Sequence, residues 1–96
     1  MPVVAVFQGP GLTQEQYEES VRRLTGKEQL ESPGDWPVDG LLAHVAGQGP
    51  SGFRVVDVWE SEDAFRAFGE TLIPILREIG VGGEPEVYPA QTFVTA

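Results

Sequence analysis

The stretch Val55-Val56-Asp57-Val58-Trp59-Glu60-Ser61-Glu62-Asp63-Ala64-Phe65 changes its apolar period part-way along, and that change decides the class of fold. Up to Trp59 the run is rich in β-branched and aromatic residues, as a strand requires, and successive side chains take opposite faces. Ser61 is then an N-cap, with Glu62 and Asp63 in the first turn, where the helix dipole favours negative charge. Beyond it Phe65, Phe68, Leu72, Ile75 or Leu76, and Ile79 recur at helical spacing. Pro74 lacks the N–H that would bond to Glu70, so a kink or a break into two short helices is expected there. Gly80 ends the helix.

Working outward, residues 41–46 and 53–59 are strand-like runs joined by the Gly-rich segment 47–52, which predicts an antiparallel hairpin with a wide loop. Residues 27–39 hold two prolines, a glycine and Trp36 with no apolar period, and are read as a long loop of the kind that serves as a lid or binding loop. Upstream, Thr13 and Gln16 have capping-box spacing, and Leu12 and Tyr17 that of a hydrophobic staple, so a helix starts after Thr13. Tyr17, Val21 and Leu24 form its inner stripe, Glu18–Arg22 and Glu19–Arg23 pair on its outer side, and Gly26 stops it. Residues 3–7 are a strand closed by Gly9-Pro10-Gly11. Residues 87–94 are a last strand that Pro89 weakens, which suits an edge or a bulge. The order β-α-β-β-α-β predicts one α+β domain over residues 1–96, a ferredoxin-like split arrangement on a four-stranded antiparallel sheet.

A chain of 96 residues is short for two domains. Six basic against 15 acidic residues leave a net charge of −9, which repels phosphate backbones and anionic lipid, so neither nucleic acid nor a membrane surface is an expected partner. There is no cysteine, which removes disulfides and thiolate chemistry. The N-terminal apolar run lacks the basic flank of a signal peptide, and no apolar stretch approaches the ~20 residues of a membrane span; a cytoplasmic protein is expected.

Alternation sorts the hairpin into two faces, with Ala46 taken as opposite Phe53. Leu42, His44, Ala46, Phe53, Val55, Asp57 and Trp59 form one, and Leu41, Ala43, Val45, Arg54, Val56 and Val58 the other. Both are largely apolar, whereas two helices cover only one. At roughly 25 cal/mol per Å² of apolar area, an uncovered face forfeits several kcal/mol, so a homodimer built sheet to sheet is expected, with Arg54 in an intersubunit ion pair.

The single histidine, His44, falls diagonal to Asp57 on this register. A carboxylate that orients an imidazole makes a general base near neutral pH, able to take a proton from a phenol or from a carbon beside carbonyls. The same pair also reads as two buried polar groups satisfying each other. Trp59 either stacks on a flat ligand or fills the core, Tyr17 either reaches the same space or completes the staple, and Trp36 is a lid residue or a plug. Other chemistries lack their residues. The third glycine of a dinucleotide fingerprint would fall at Gln14, no phosphate-binding loop or serine elbow occurs, and the carboxylates on the first helix form a solvated face. No metal site and no cofactor are expected.

With these residues in place, the chain resembles the dimeric α+β barrel superfamily, which holds the antibiotic-biosynthesis monooxygenases and related small cyclases and haem-degrading enzymes. The junction quoted above is similar to the one where those proteins carry a Trp followed by a capped helix and a buried aromatic. The resemblance implies that two subunits form the barrel, with a pocket between sheet and helices in each. By that analogy Trp59 and its face, including His44 and Asp57, would line it; with the readings above, His44 and Asp57 are the expected catalytic residues, and Trp59, Phe65, Tyr17, Trp36 and Val55 the expected substrate contacts. Val55 and Phe65 stand where the cofactor-free monooxygenases carry Asn and Tyr, and the following helix lacks the haem-ligating His of the haem-degrading relatives. The function expected is a cofactor-independent enzyme, monooxygenase-like or cyclase/isomerase-like. It would act on an aromatic or polyketide-like molecule by proton abstraction. The alternative is a non-catalytic small-ligand-binding or stress-related homodimeric module.

Overall fold

A computed structural model describes residues 1–9, 12–27, 33–82 and 84–95. The elements follow the order β1 (Val3–Phe7), α1 (Gln14–Thr25), a 3-10 turn (Pro33–Asp35), β2 (Leu41–Gly49), β3 (Gly52–Trp59), α2 (Glu62–Ile79) and β4 (Glu86–Pro89). The strands make one antiparallel sheet in the order β2-β3-β1-β4, so β1 and β2 run parallel with β3 between them. This α+β arrangement is compatible with the ferredoxin-like fold. Among the described residues, no helix is long and apolar enough to cross a membrane. The predicted turn at 10–11 and the loop stretch 28–32 lie outside the described residues, as does residue 83.

Both helices begin and end where the sequence predicts. Thr13 Oγ1 accepts from the Gln16 N–H at 3.2 Å, and Ser61 Oγ from the Ala64 N–H at 3.1 Å. Gly26 and Gly80 close them in the left-handed conformation, and the Val81 N–H donates back to the Leu76 carbonyl at 2.9 Å. On the outer side of α1, Arg22 and Arg23 both donate to Glu19, and Arg23 also reaches Glu78 at 2.9 Å, tying α1 to α2. Arg23 and then Arg22 hold the Glu19 carboxyl below the usual carboxylate range.

Five expectations are corrected. The helix does not break in two at Pro74 but is continuous over Glu62–Ile79. The hairpin has no wide loop: pairing continues to Gly49 opposite Gly52, leaving Pro50 and Ser51 as the turn. His44 therefore stands directly opposite Asp57 and Ala46 opposite Val55, two residues from the assumed register; a two-residue shift leaves every side chain on its assigned face. The start of β2 does change face. A bulge between Leu41 and Ala43 brings Leu41 opposite Trp59, so Leu41 is buried at 7% exposure and Leu42 stands out at 39%. Lastly, β4 stops at Pro89: after the Ala90 N–H donates to the Pro2 carbonyl, residues 91–95 form no ladder.

The core lies between the helices and one sheet face, where Val3, Ala5, Leu41 and Trp59 meet Val21 of α1 and Phe68 and Leu72 of α2, with Trp36 closing the side. Gly40 lets β2 enter close to α2. It has φ 106°, and a Cβ there would lie 2.7 Å from Ala64 Cβ. The opposite face carries Val4, Val6, Val45, Val56, Val58 and Tyr88; Val6 is buried at 5% exposure and Val4, Val56 and Val58 are half-buried, whereas Val45 is 65% and Tyr88 43% exposed.

Candidate functional site

Three elements bring one polar chain together beneath the helices. His44 sits in the middle of β2, Asp57 faces it across the ladder from β3, and the capped first turn of α1 carries Tyr17 above them. His44 Nδ1 lies 2.6 Å from Asp57 Oδ1, and His44 Nε2 lies 2.6 Å from Tyr17 Oη. A carboxylate only accepts, so the proton of the neutral imidazole belongs on Nδ1, and Nε2 accepts from the Tyr17 hydroxyl. Trp59, two residues along β3 on the same face, donates its Nε1–H to Asp57 Oδ2 at 3.3 Å. Asp57, 1% exposed, thus has a donor at each oxygen. Burial, then the neighbouring Asp57 charge, raises the pKa of Tyr17 above its ordinary value, which keeps its hydroxyl a neutral donor.

This chain borders a cavity of about 60 Å³ between the sheet and the helices. Phe68, Leu72 and Leu76 of α2 and Leu24 of α1 supply apolar wall, while the exposed Gln8, Gly82 and Glu84 mark its open side. Space for a water requires roughly 10–15 Å³, so the cavity takes several waters or the reactive end of a small molecule.

Of the residues expected to touch a substrate, Tyr17, Trp36 and Val55 border the cavity together with His44 and Asp57. Trp59 and Phe65 do not. Trp59 is fully buried behind the wall, stacked on Phe68 with centroids 4.8 Å apart, and Phe65 packs between Phe7 and Trp59 at 6.1 and 6.0 Å. The reason is packing: Trp59 is enclosed by the α2 rings of Phe65 and Phe68, which fill the space between its strand and that helix. Reading the sequence missed the Trp59–Asp57 bond, although the i,i+2 spacing on one strand face signals it. It also missed that Tyr17 occupies Nε2.

Trp36 is drawn in from the loop, 8% exposed, with its ring 5.3 Å from those of both His44 and Phe68. The Lys27–Asp35 ion pair at 2.7 Å anchors the segment just before it. Its Nε1 is the one buried side-chain polar atom among the described residues without a hydrogen-bond partner, a cost of about 1–3 kcal/mol. No group of three or more His, Asp or Glu among the described residues is placed to hold a metal ion. Searches for related proteins find no matching family model, no matching curated protein and no matching solved structure.

Proposed function

We propose that the protein is a small-molecule enzyme that works by proton transfer, with Tyr17, His44 and Asp57 as its acid–base relay. The observation that carries this reading is the continuous chain of two 2.6 Å hydrogen bonds, from buried carboxylate to imidazole to phenol, along the wall of a mostly apolar cavity. A substrate with an acidic O–H or C–H passes its proton to Tyr17 Oη as the Tyr17 proton moves to His44 Nε2. Asp57 then stabilises the imidazolium. Returning the proton at another atom gives an isomerisation or begins a cyclisation. An activated phenolic ring could instead react with O₂, one oxygen entering the ring as a quinone and the other leaving as water. The apolar, aromatic wall supports an aromatic or polyketide-like substrate whose reactive end enters while the rest extends past Gln8 and Glu84.

The test is oxygen uptake and solvent-deuterium incorporation with a panel of phenols and aromatic ketones. Wild-type turnover that falls by about 100-fold or more in His44→Ala supports the relay; equal turnover by a folded His44→Ala protein retires it. A second reading, a binding module without turnover, has one observation in its favour: both ring nitrogens of His44 already have partners. Tight binding of a panel member with no turnover would select it.

We also propose that two copies pair through the sheet face that turns away from the helices. The row Val4, Val56 and Val58, with the exposed Val45 and Tyr88 beside it, supports this assembly. Sedimentation should give a dimer at micromolar concentration, with a monomer for Val45→Lys/Val58→Lys. A monomeric wild type would end the proposal.

A further inference from the structure

We propose that the Trp36 ring is a displaceable plug, and that the slot it fills beside His44 and Phe68 is the binding site for a flat, fused-ring phenol. This rests on the proton-transfer reading and names the shape of its substrate. The cavity along the Tyr17, His44 and Asp57 chain measures about 60 Å³, whereas a dry cavity that takes one benzene ring runs to roughly 150 Å³. It has room for a phenolic hydroxyl but not for the whole ring that bears it. Trp36 borders the same cavity, and its ring lies 5.3 Å from those of both His44 and Phe68. An aromatic slot therefore adjoins the relay, with the protein's own side chain in it.

Two features make this side chain the one to leave. Its Nε1–H is buried and unmatched, and outside the slot it bonds to water. It also belongs to no strand or long helix: among the described residues, no backbone hydrogen bond ties 34–39 to a helix or a strand, and Trp36 is the one buried side chain of that stretch. The stretch hangs between two fastenings. On one side the Gly40 carbonyl accepts from the Glu60 N–H at 2.8 Å, and on the other Asp35 pairs with Lys27 at 2.7 Å. Residues 36–39 swing out between them without opening the sheet. The exchange is close to balanced, because one buried ring leaves as another enters and the apolar areas largely cancel. The freed indole N–H, and a ligand hydroxyl bonded to Tyr17, favour the exchanged state. Without a ligand the plug stays in, because an empty slot would leave the apolar wall at Phe68 and Leu72 in water. The ring that leaves is a fused bicycle, so a fused bicycle fills its place.

The experiment uses 2-naphthol with ¹⁵N-labelled protein, whose two tryptophans give two indole N–H resonances. Saturating 2-naphthol should speed exchange of the Trp36 N–H with solvent by at least about 10-fold and leave that of Trp59, which is bonded to Asp57, unchanged. Trp36→Ala has no plug to displace, so it should bind 2-naphthol at least about 10-fold faster and tighter than the wild type, which must first open. If 2-naphthol binds the wild type with the Trp36 N–H as protected as before, the inference is overturned whether or not Trp36→Ala folds. Equal association rates for the two proteins, or no binding to the wild type, overturn it as well. Neither readout involves turnover, which separates the two claims. Turnover of 2-naphthol that is lost in His44→Ala, with no change at Trp36 on binding, sinks the plug and keeps the relay. Displacement of Trp36 without turnover does the reverse.

Discussion

Asp57 and Val58 are neighbours on β3, yet they stand on surfaces with opposite organisation. On the side of Asp57 every contact is specific: a carboxylate with two donors, an imidazole with two partners and a stack of aromatic rings. On the side of Val58 the residues are small, branched and repetitive. The difference shows how one strand divides its work. A polar chain survives burial only where each atom is matched, which demands particular residues; a face of valines asks only for a complementary apolar surface.

The largest test of this contrast is Asp57→Ala, which strands the Nδ1–H of His44 and the Nε1–H of Trp59 without an acceptor. A loss of about 3 kcal/mol or more in urea unfolding is expected, against less than about 1 kcal/mol for Val58→Ala. Equal losses would erase the distinction between the faces. Next come the two leucines at the bulge. Leu41→Ala should cost about 2–4 kcal/mol and Leu42→Ala under about 0.5, and the reverse order would place the bulge elsewhere.

Tyr17→Phe, which keeps the ring and removes the link to Nε2, should cost about 1 kcal/mol near neutral pH. It should also change the alkaline limb. Because the folded-state pKa of Tyr17 lies above its ordinary value of 10.0, the folded state keeps a proton that the unfolded state gives up. The wild type therefore has this stability in full below pH 10.0 and loses it as pH rises toward the folded-state value. Denaturation midpoints measured across that range should fall more steeply for the wild type than for Tyr17→Phe. The smallest effect is expected at the exposed clamp on α1. Glu19→Gln should lower the melting temperature slightly at low salt, with the difference vanishing in high salt and at acid pH, where the carboxylate itself is protonated.

Most of the fold was legible because its signals are local. Thr13 and Ser61 cap, Gly26 and Gly80 stop, and the apolar period switches between them. The bulge was not legible, because one extra residue in an apolar run leaves no mark on composition; Leu41 and Leu42 are the same residue type. The hairpin register was misread for a related reason: Gly47 and Gly49 resemble a loop, yet backbone pairing needs no side chain. Within the site, the facing of His44 and Asp57 followed from alternation and survived a register error of two residues. The capture of His44 by Tyr17 depends on the angle between helix and sheet, and the burial of Trp36 depends on how a loop packs. Neither is written in any local pattern.

The extra residue at Leu42 has a consequence for how the strand can change. It sits between an anchoring leucine and the histidine three places on from it, and it uncouples the phase of one from the phase of the other. The start of β2 can trade its hydrophobic plug, or slip by a residue, while the chemistry at its centre keeps its bearing. The two halves of the strand are free to drift at different rates.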